Sequence, residues 1–178
     1  MSDLRKAAAV GALAIAACLA VPVYGWLAGR DRAAPAGRAA VLETHLDRSP
    51  ADARAWVFLA RERMDADRFQ AAADAYSKAI AASPKVARDP RIWCELADAL
   101  GMAQGGKLAG KPHEAVGQAL ALKPDEPCAL EIAGSAALEA GDRPAARRHW
   151  QALLAQLEPG TRRHTELSAA IERLRHGS

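Results

Sequence analysis

Residues 56–84 read WVFLARERMDADRFQAAADAYSKAIAASP. Trp56, Leu59 and Ala60 lie at helical spacing, then Phe69, Ala72, Tyr76 and Ala79, and Ser83-Pro84 closes the run. That spacing predicts two amphipathic helices, about Ala53–Asp65 and Phe69–Ser83, with Asp67-Arg68 in the turn. The series restarts at Trp93, Leu96 and Ala97 and closes at Ala119, Leu120 and Pro124. It starts a third time at Leu130, Ala133 and Gly134, continues through Gly141, Ala146, Trp150 and Leu153, and has Pro159 near the closing position. From Trp56 to Trp93 and from Trp93 to Leu130 the interval is 37 positions each time.

A helix pair of about 34 residues with an early aromatic, a small residue in each helix and a closing proline is the tetratricopeptide pattern. One such pair cannot bury its apolar face alone, so the pairs must stack. The expected fold is all-α: an N-terminal transmembrane helix followed by a tetratricopeptide α-solenoid. That solenoid has about three helix pairs with a capping helix on each side, wound as one right-handed superhelix. Its second pair is predicted over about Pro90–Ala103 and Pro112–Leu122. The third is predicted over about Pro127–Ala140 and Pro144–Leu157. A first capping helix is expected from about Arg38 to Arg48, and a last one from about Thr161 to Arg175, with Leu167, Ala170, Ile171 and Leu174 on one face.

Composition agrees with stacked helices. Aromatics are 4% of the 178 residues, too few for a sandwich core but enough where Ala and Leu fill most of it. The formal charge is +3, with both signs interspersed, so no basic stripe for nucleic acid is present. No C-x-x-C joins Cys18, Cys94 and Cys128. The five histidines have no metal-ligand spacing, and no Ser-His-Asp set, phosphate loop or dinucleotide loop can be drawn. The chain is therefore expected to be no enzyme, with neither cofactor nor metal.

From Ala7 to Gly29 the chain carries no charge. Those 23 positions would span about 34 Å as a helix, against a hydrocarbon core of about 30 Å. Arg5 and Lys6 precede the segment, Arg30 and Arg32 follow it, and Tyr24 and Trp26 lie near its far end. An uncleaved membrane anchor is the expectation. The alternatives are a cleaved signal, with Ala34-Pro35-Ala36 as a cleavage site, and a lipoprotein signal ending at Cys18. The expected organisation is an anchor over 1–29, a linker over 30–37, the repeat domain over 38–175 and a tail over 176–178. The expected location is the bacterial inner membrane, crossed once through residues 7–29, with the repeats in the periplasm.

In such arrays the first helix of each pair lines the concave face. The candidate peptide groove is Arg54, Val57, Arg61 and Met64, then Arg91, Cys94, Asp98 and Gly101, then Cys128, Glu131, Ser135 and Leu138. It is basic toward the first repeat and acidic toward the third, which suits an amphipathic helix with unlike ends. Cys94 and Cys128 are expected as two small buried apolar residues. The alternatives are a disulfide and a thiol that reacts with a client.

Residues 102–112, MAQGGKLAGKP, separate the second helix pair with three residues beyond the minimum. Met102, Gln104, Gly105, Gly106, Leu108, Gly110 and Pro112 follow a Trp-containing helix and precede the Ala-Leu-x-Leu-x-Pro closure. With this loop the chain, over about residues 38–175, resembles the tetratricopeptide subunit of the bacterial cytochrome c maturation system (the CcmI, CycH and NrfG group). The resemblance implies a periplasmic adaptor anchored in the inner membrane. It would bind the C-terminal segment of apocytochrome c and present it to the other subunits of the haem ligation complex. Longer members have two spans and a cytoplasmic segment between them; this sequence has one apolar span. Two other readings compete: a general envelope scaffold for another inner-membrane complex, and a thiol oxidoreductase using Cys94 and Cys128.

Overall fold

The computed structural model describes residues 35–176. The anchor expected over 1–29, the linker as far as residue 34 and the last two residues lie outside them. Among the described residues every regular element is helical, and no helix is long and apolar enough to cross a membrane. The order is α1 Pro35–Arg48, α2 Ala53–Asp65, α3 Phe69–Ala82, α4 Pro84–Ala87, α5 Pro90–Ala103, α6 Lys111–Leu122, α7 Pro127–Glu139, α8 Arg143–Leu154 and α9 Arg162–His176. Helices α2 and α3, α5 and α6, and α7 and α8 form three hairpins. α3 packs on α5 and α6 on α7, while α1 covers α2 and α9 covers α8.

Three local features differ from expectation. The extra residues between the first and second hairpins form a one-turn helix, α4, with Pro84 pre-set in its first turn. α6 begins at Lys111, so Pro112 is its second residue; the ring is fully buried rather than only starting the helix. α1 begins at Pro35, within the stretch expected as linker.

The hairpins owe their tightness to small residues. Ala60, Ala72, Ala75, Ala79, Ala97, Ala119 and Ala146 are all wholly buried. Where the first helix of a pair crosses the second, Ala60 and Ala97 recur, and in the third pair the same position is Gly134. At the matching position of the second helix stand Tyr76 in α3, Val116 in α6 and Trp150 in α8, and the largest of the three faces the glycine. A Cβ on Gly134 would stand 2.1 Å from Nε1 of Trp150. That indole also donates to the carbonyl of Glu131 at 3.4 Å. Each leading tryptophan is tied to the turn before it, Trp56 Nε1 to the Pro50 carbonyl and Trp93 Nε1 to the Ala87 carbonyl, both at 2.8 Å.

The three hairpin turns share one geometry. The amide of Arg68 donates to the carbonyl of Arg63, that of Gly106 to Gly101 and that of Asp142 to Ala137, each at 2.8 Å. Each closure needs a left-handed residue just past the first helix. Gly105 (φ 69°) and Gly141 (φ 79°) supply it in the second and third turns, but in the first it is Asp67, at φ 56°.

Two outcomes follow for stability. Gly134→Ala should lower it by about 2–3 kcal/mol through overpacking of Trp150, read by denaturant unfolding. Asp67→Gly should raise it by about 0.5–1 kcal/mol by relieving left-handed strain, read as a melting-temperature gain of about 2–4 °C.

Candidate functional site

The first helices of the pairs, α2, α5 and α7, are fastened to one another side by side. Arg61 of α2 holds Glu95 of α5 with two bonds, Nε to Oε2 at 2.9 Å and Nη2 to Oε1 at 2.7 Å. The hydroxyl of Tyr76, in α3, donates to the same Glu95 carboxylate at 2.7 Å. Burial first, and then the Glu95 charge, hold the Tyr76 hydroxyl well above the usual phenol range, so it remains a donor at any ordinary pH. The bond to Glu95 likewise raises the Arg61 guanidinium above its usual range. One carboxylate therefore joins three helices.

Between α5 and α7 the fastening is covalent. Cys94 and Cys128 form a disulfide, with their Cα atoms 6.3 Å apart. This overturns the expectation of two free, buried, apolar residues. Cys94 is fully buried in the core, but Cys128 is exposed as the second residue of α7. The register explains the pairing: the first turn of one first helix lies against the second turn of the preceding one. A thiolate approaching from solvent meets the Cys128 sulfur and must expel a Cys94 thiolate into apolar surroundings, where a charge is poorly stabilised. The bond is thus built as a staple, and this geometry counts against the oxidoreductase reading.

The glycine loop is pinned between the same two helices. The Leu108 amide donates to Glu139 Oε2 of α7 at 2.9 Å. The Leu108 side chain packs on Gly101 of α5, where a Cβ would lie 3.0 Å from its Cδ2. Gly106 (φ 89°) and Gly110 (φ 75°) supply the bends that turn the chain back. Gln104, Gly105, Gly106 and Gly110 are exposed, Met102 and Leu108 half-buried and Pro112 buried. The three additional residues therefore form a brace with defined contacts.

These fastenings sort the candidate groove. Val57 and Gly101, with Cys94, are buried and form floor rather than contact surface. Arg61 is engaged by Glu95. Glu131 is engaged by Arg163 of α9, and its carbonyl accepts from the Ser135 hydroxyl at 3.0 Å. Arg54, Arg91, Cys128 and Leu138 are exposed, and Met64, Asp98 and Ser135 half-buried. The basic-to-acidic gradient read along the groove is thus partly neutralised within the protein.

Sequence reasoning passed over Phe58, Glu95, Glu139 and Arg163. The first three sit on a stripe next to the one chosen, and the 37-residue register would have aligned Phe58 with Glu95. Arg163 had no signal, because its reach to Glu131 depends on how α9 packs. Among the described residues no group of three or more His, Cys, Asp or Glu is placed to hold a metal ion.

With the arrangement established, comparison with known proteins adds a family. A family model described as the tetratricopeptide domain of cytochrome c-type biogenesis protein H matches residues 39–164. The cytochrome c-type biogenesis protein CycH of Bradyrhizobium diazoefficiens is 32% identical over 169 residues, covering 85% of this chain and 45% of that protein. The chain spans about half the length of the curated relative it matches.

Reduction of the disulfide, or Cys94→Ser with Cys128→Ser, should lower unfolding free energy by roughly 3–4 kcal/mol, given a loop of this size. Denaturant curves with and without reductant would measure it. Native protein should reduce far more slowly than urea-unfolded protein at the same thiol concentration.

Proposed function

The chain belongs to the tetratricopeptide-domain family of cytochrome c-type biogenesis protein H, and from that premise we propose a membrane-anchored periplasmic adaptor that holds apocytochrome c. The role in cytochrome c-type biogenesis comes with the family. The finer reading is that the C-terminal segment of the apocytochrome docks on the repeat domain. It is held there while other subunits of the haem ligation complex join haem to it. The anchor is the uncharged stretch 7–29, followed by Arg30 and Arg32.

The observation that carries this reading is the fastened row of α2, α5 and α7. Arg61–Glu95, Cys94–Cys128 and Leu108–Glu139 each join neighbouring first helices or the loop between them. A surface held this rigidly loses little freedom when a segment docks on it. It carries scattered polar and apolar side chains, and beneath it the buried Tyr76 hydroxyl is locked onto Glu95. Such a surface suits the binding of a segment. A disulfide between two of the rails also favours an oxidising compartment such as the periplasm.

Deleting the gene in a strain without a paralogue should lower covalent haem in c-type cytochromes and leave b-type haem unchanged. Haem-stained gels and pyridine haemochrome spectra would read both. Normal c-type cytochromes in that strain would end the proposal. Capture by an immobilised C-terminal apocytochrome peptide separates this adaptor from a general envelope scaffold, which would ignore the peptide.

A further inference from the structure

Three bonds show which residues of a first helix face the first helix before it. Cys128, at the start of α7, bonds back to Cys94 of α5. Glu95, one turn into α5, bonds back to Arg61 of α2 and Tyr76 of α3. Glu139, at the end of α7, bonds back to the loop that follows α5. Subtracting 37 or 74 from those numbers gives Arg54, Phe58 and Asp65 on α2. They must face the side where a preceding first helix would lie, and among the described residues none lies there. Phe58 is accordingly 50% exposed, whereas Ile132, its counterpart in α7, is 7% exposed.

α1 shows the same thing from the other side. Pro50 closes it as Pro84 closes α3 and Pro124 closes α6, which makes α1 a second helix of a pair. Val41 is then the counterpart of Ala75 and Ala115. Those two are 0% and 4% exposed under their own first helices, but Val41 is 70% exposed. Leu42 is the counterpart of Tyr76, so the register that sets Glu95 over Tyr76 sets Phe58 over Leu42. The open side is an apolar strip of Val41, Leu42 and Phe58, with Arg54 at one end and Asp65 at the other. Neither charged residue has an ion-pair partner among the described residues.

We infer that the client's helix docks here, completing the pair that α1 begins and lying parallel to α2 as α5 and α7 do. The inference rests on the apocytochrome reading and moves its contact from the middle of the groove to the N-terminal edge. The fitting segment is an amphipathic helix with an apolar stripe, a carboxylate in its first turn facing Arg54 and a Lys or Arg in its last turn facing Asp65. That polarity is the one helices already favour, since acidic residues stabilise their starts and basic residues their ends. Its apolar stripe would cover Val41 and Phe58, the two most exposed large hydrophobic side chains among the described residues.

The test uses the full chain in detergent and a fluorescent C-terminal apocytochrome peptide, titrated by anisotropy. Phe58→Glu and Val41→Glu should each weaken binding at least about tenfold, as truncation of a central apolar anchor does. Leu122→Glu, at the end of α6 and outside the candidate groove, should stay within about twofold, as a site outside the contact does. Arg54→Glu should weaken binding, and a peptide with Lys in place of its first-turn carboxylate should restore it. Wild-type affinity in both edge variants, or loss in Leu122→Glu alone, overturns the inference while leaving the apocytochrome reading standing. No binding by the wild type removes both. Without peptide, the edge variants should melt within about 2 °C of the wild type, as exposed positions do. A clearly lower melting temperature would mean that the chain's own residues or a second copy already cover the strip, which also overturns it.

Discussion

The close crossing of the two helices in each pair is the constraint on which everything else depends. At Ala60, Ala97 and Gly134 the first helix has almost no side chain, and the second helix places Tyr76, Val116 or Trp150 opposite. In the third pair Trp150 fills the space that Gly134 leaves. Interiors pack nearly as densely as crystals, so these choices are coupled, and a methyl added at Gly134 has nowhere to go. With the crossing fixed, the next pair can lie only where its first helix meets the preceding second helix. The stack repeats because that one contact repeats.

Helices stacked through their second members would leave the first members weakly joined. Here that weakness is answered three times by different chemistry: an arginine–carboxylate fork with a tyrosine, a disulfide, and a loop amide on a carboxylate. All three lie on the row that would receive a partner. Rigidity is thus concentrated on the binding side, where a flexible surface would lose affinity to ordering. Much of the charge visible along that row in sequence is spent in joining it, which is why the unspent residues at its N-terminal edge, Arg54, Phe58 and Asp65, stand out.

The fold was legible almost element by element because the signal was redundant. Trp56 and Trp93, the small residues and the closing Pro84 and Pro124 each mark the same period, and the period sets the hairpins. What was not legible had local causes. α4 occupies a stretch too short to show helical periodicity, and α6 begins one residue before Pro112, because Lys111 carries no start signal of its own. The candidate groove was legible as a row of helices but not as a surface. Val57 and Cys94 lie on the expected face and are still buried, since a neighbouring helix covers each of them.

By itself the sequence determined the helix pairs, their period and the face each buries, because those follow from residue size and helical spacing along one chain. It also placed both Cys94 and Cys128 on neighbouring first helices. Whether their sulfurs meet depends on the offset between those helices, and only the stacked structure, with Cα atoms 6.3 Å apart, decides that they do. The tertiary structure likewise decided that Glu95 serves Arg61 and Tyr76, and that Phe58, alike in register to the buried Ile132, stays open. Spacing along the chain carries information about one helix and its own partner. Contacts between successive pairs arise from the rotation of one pair on the next, which no single repeat encodes.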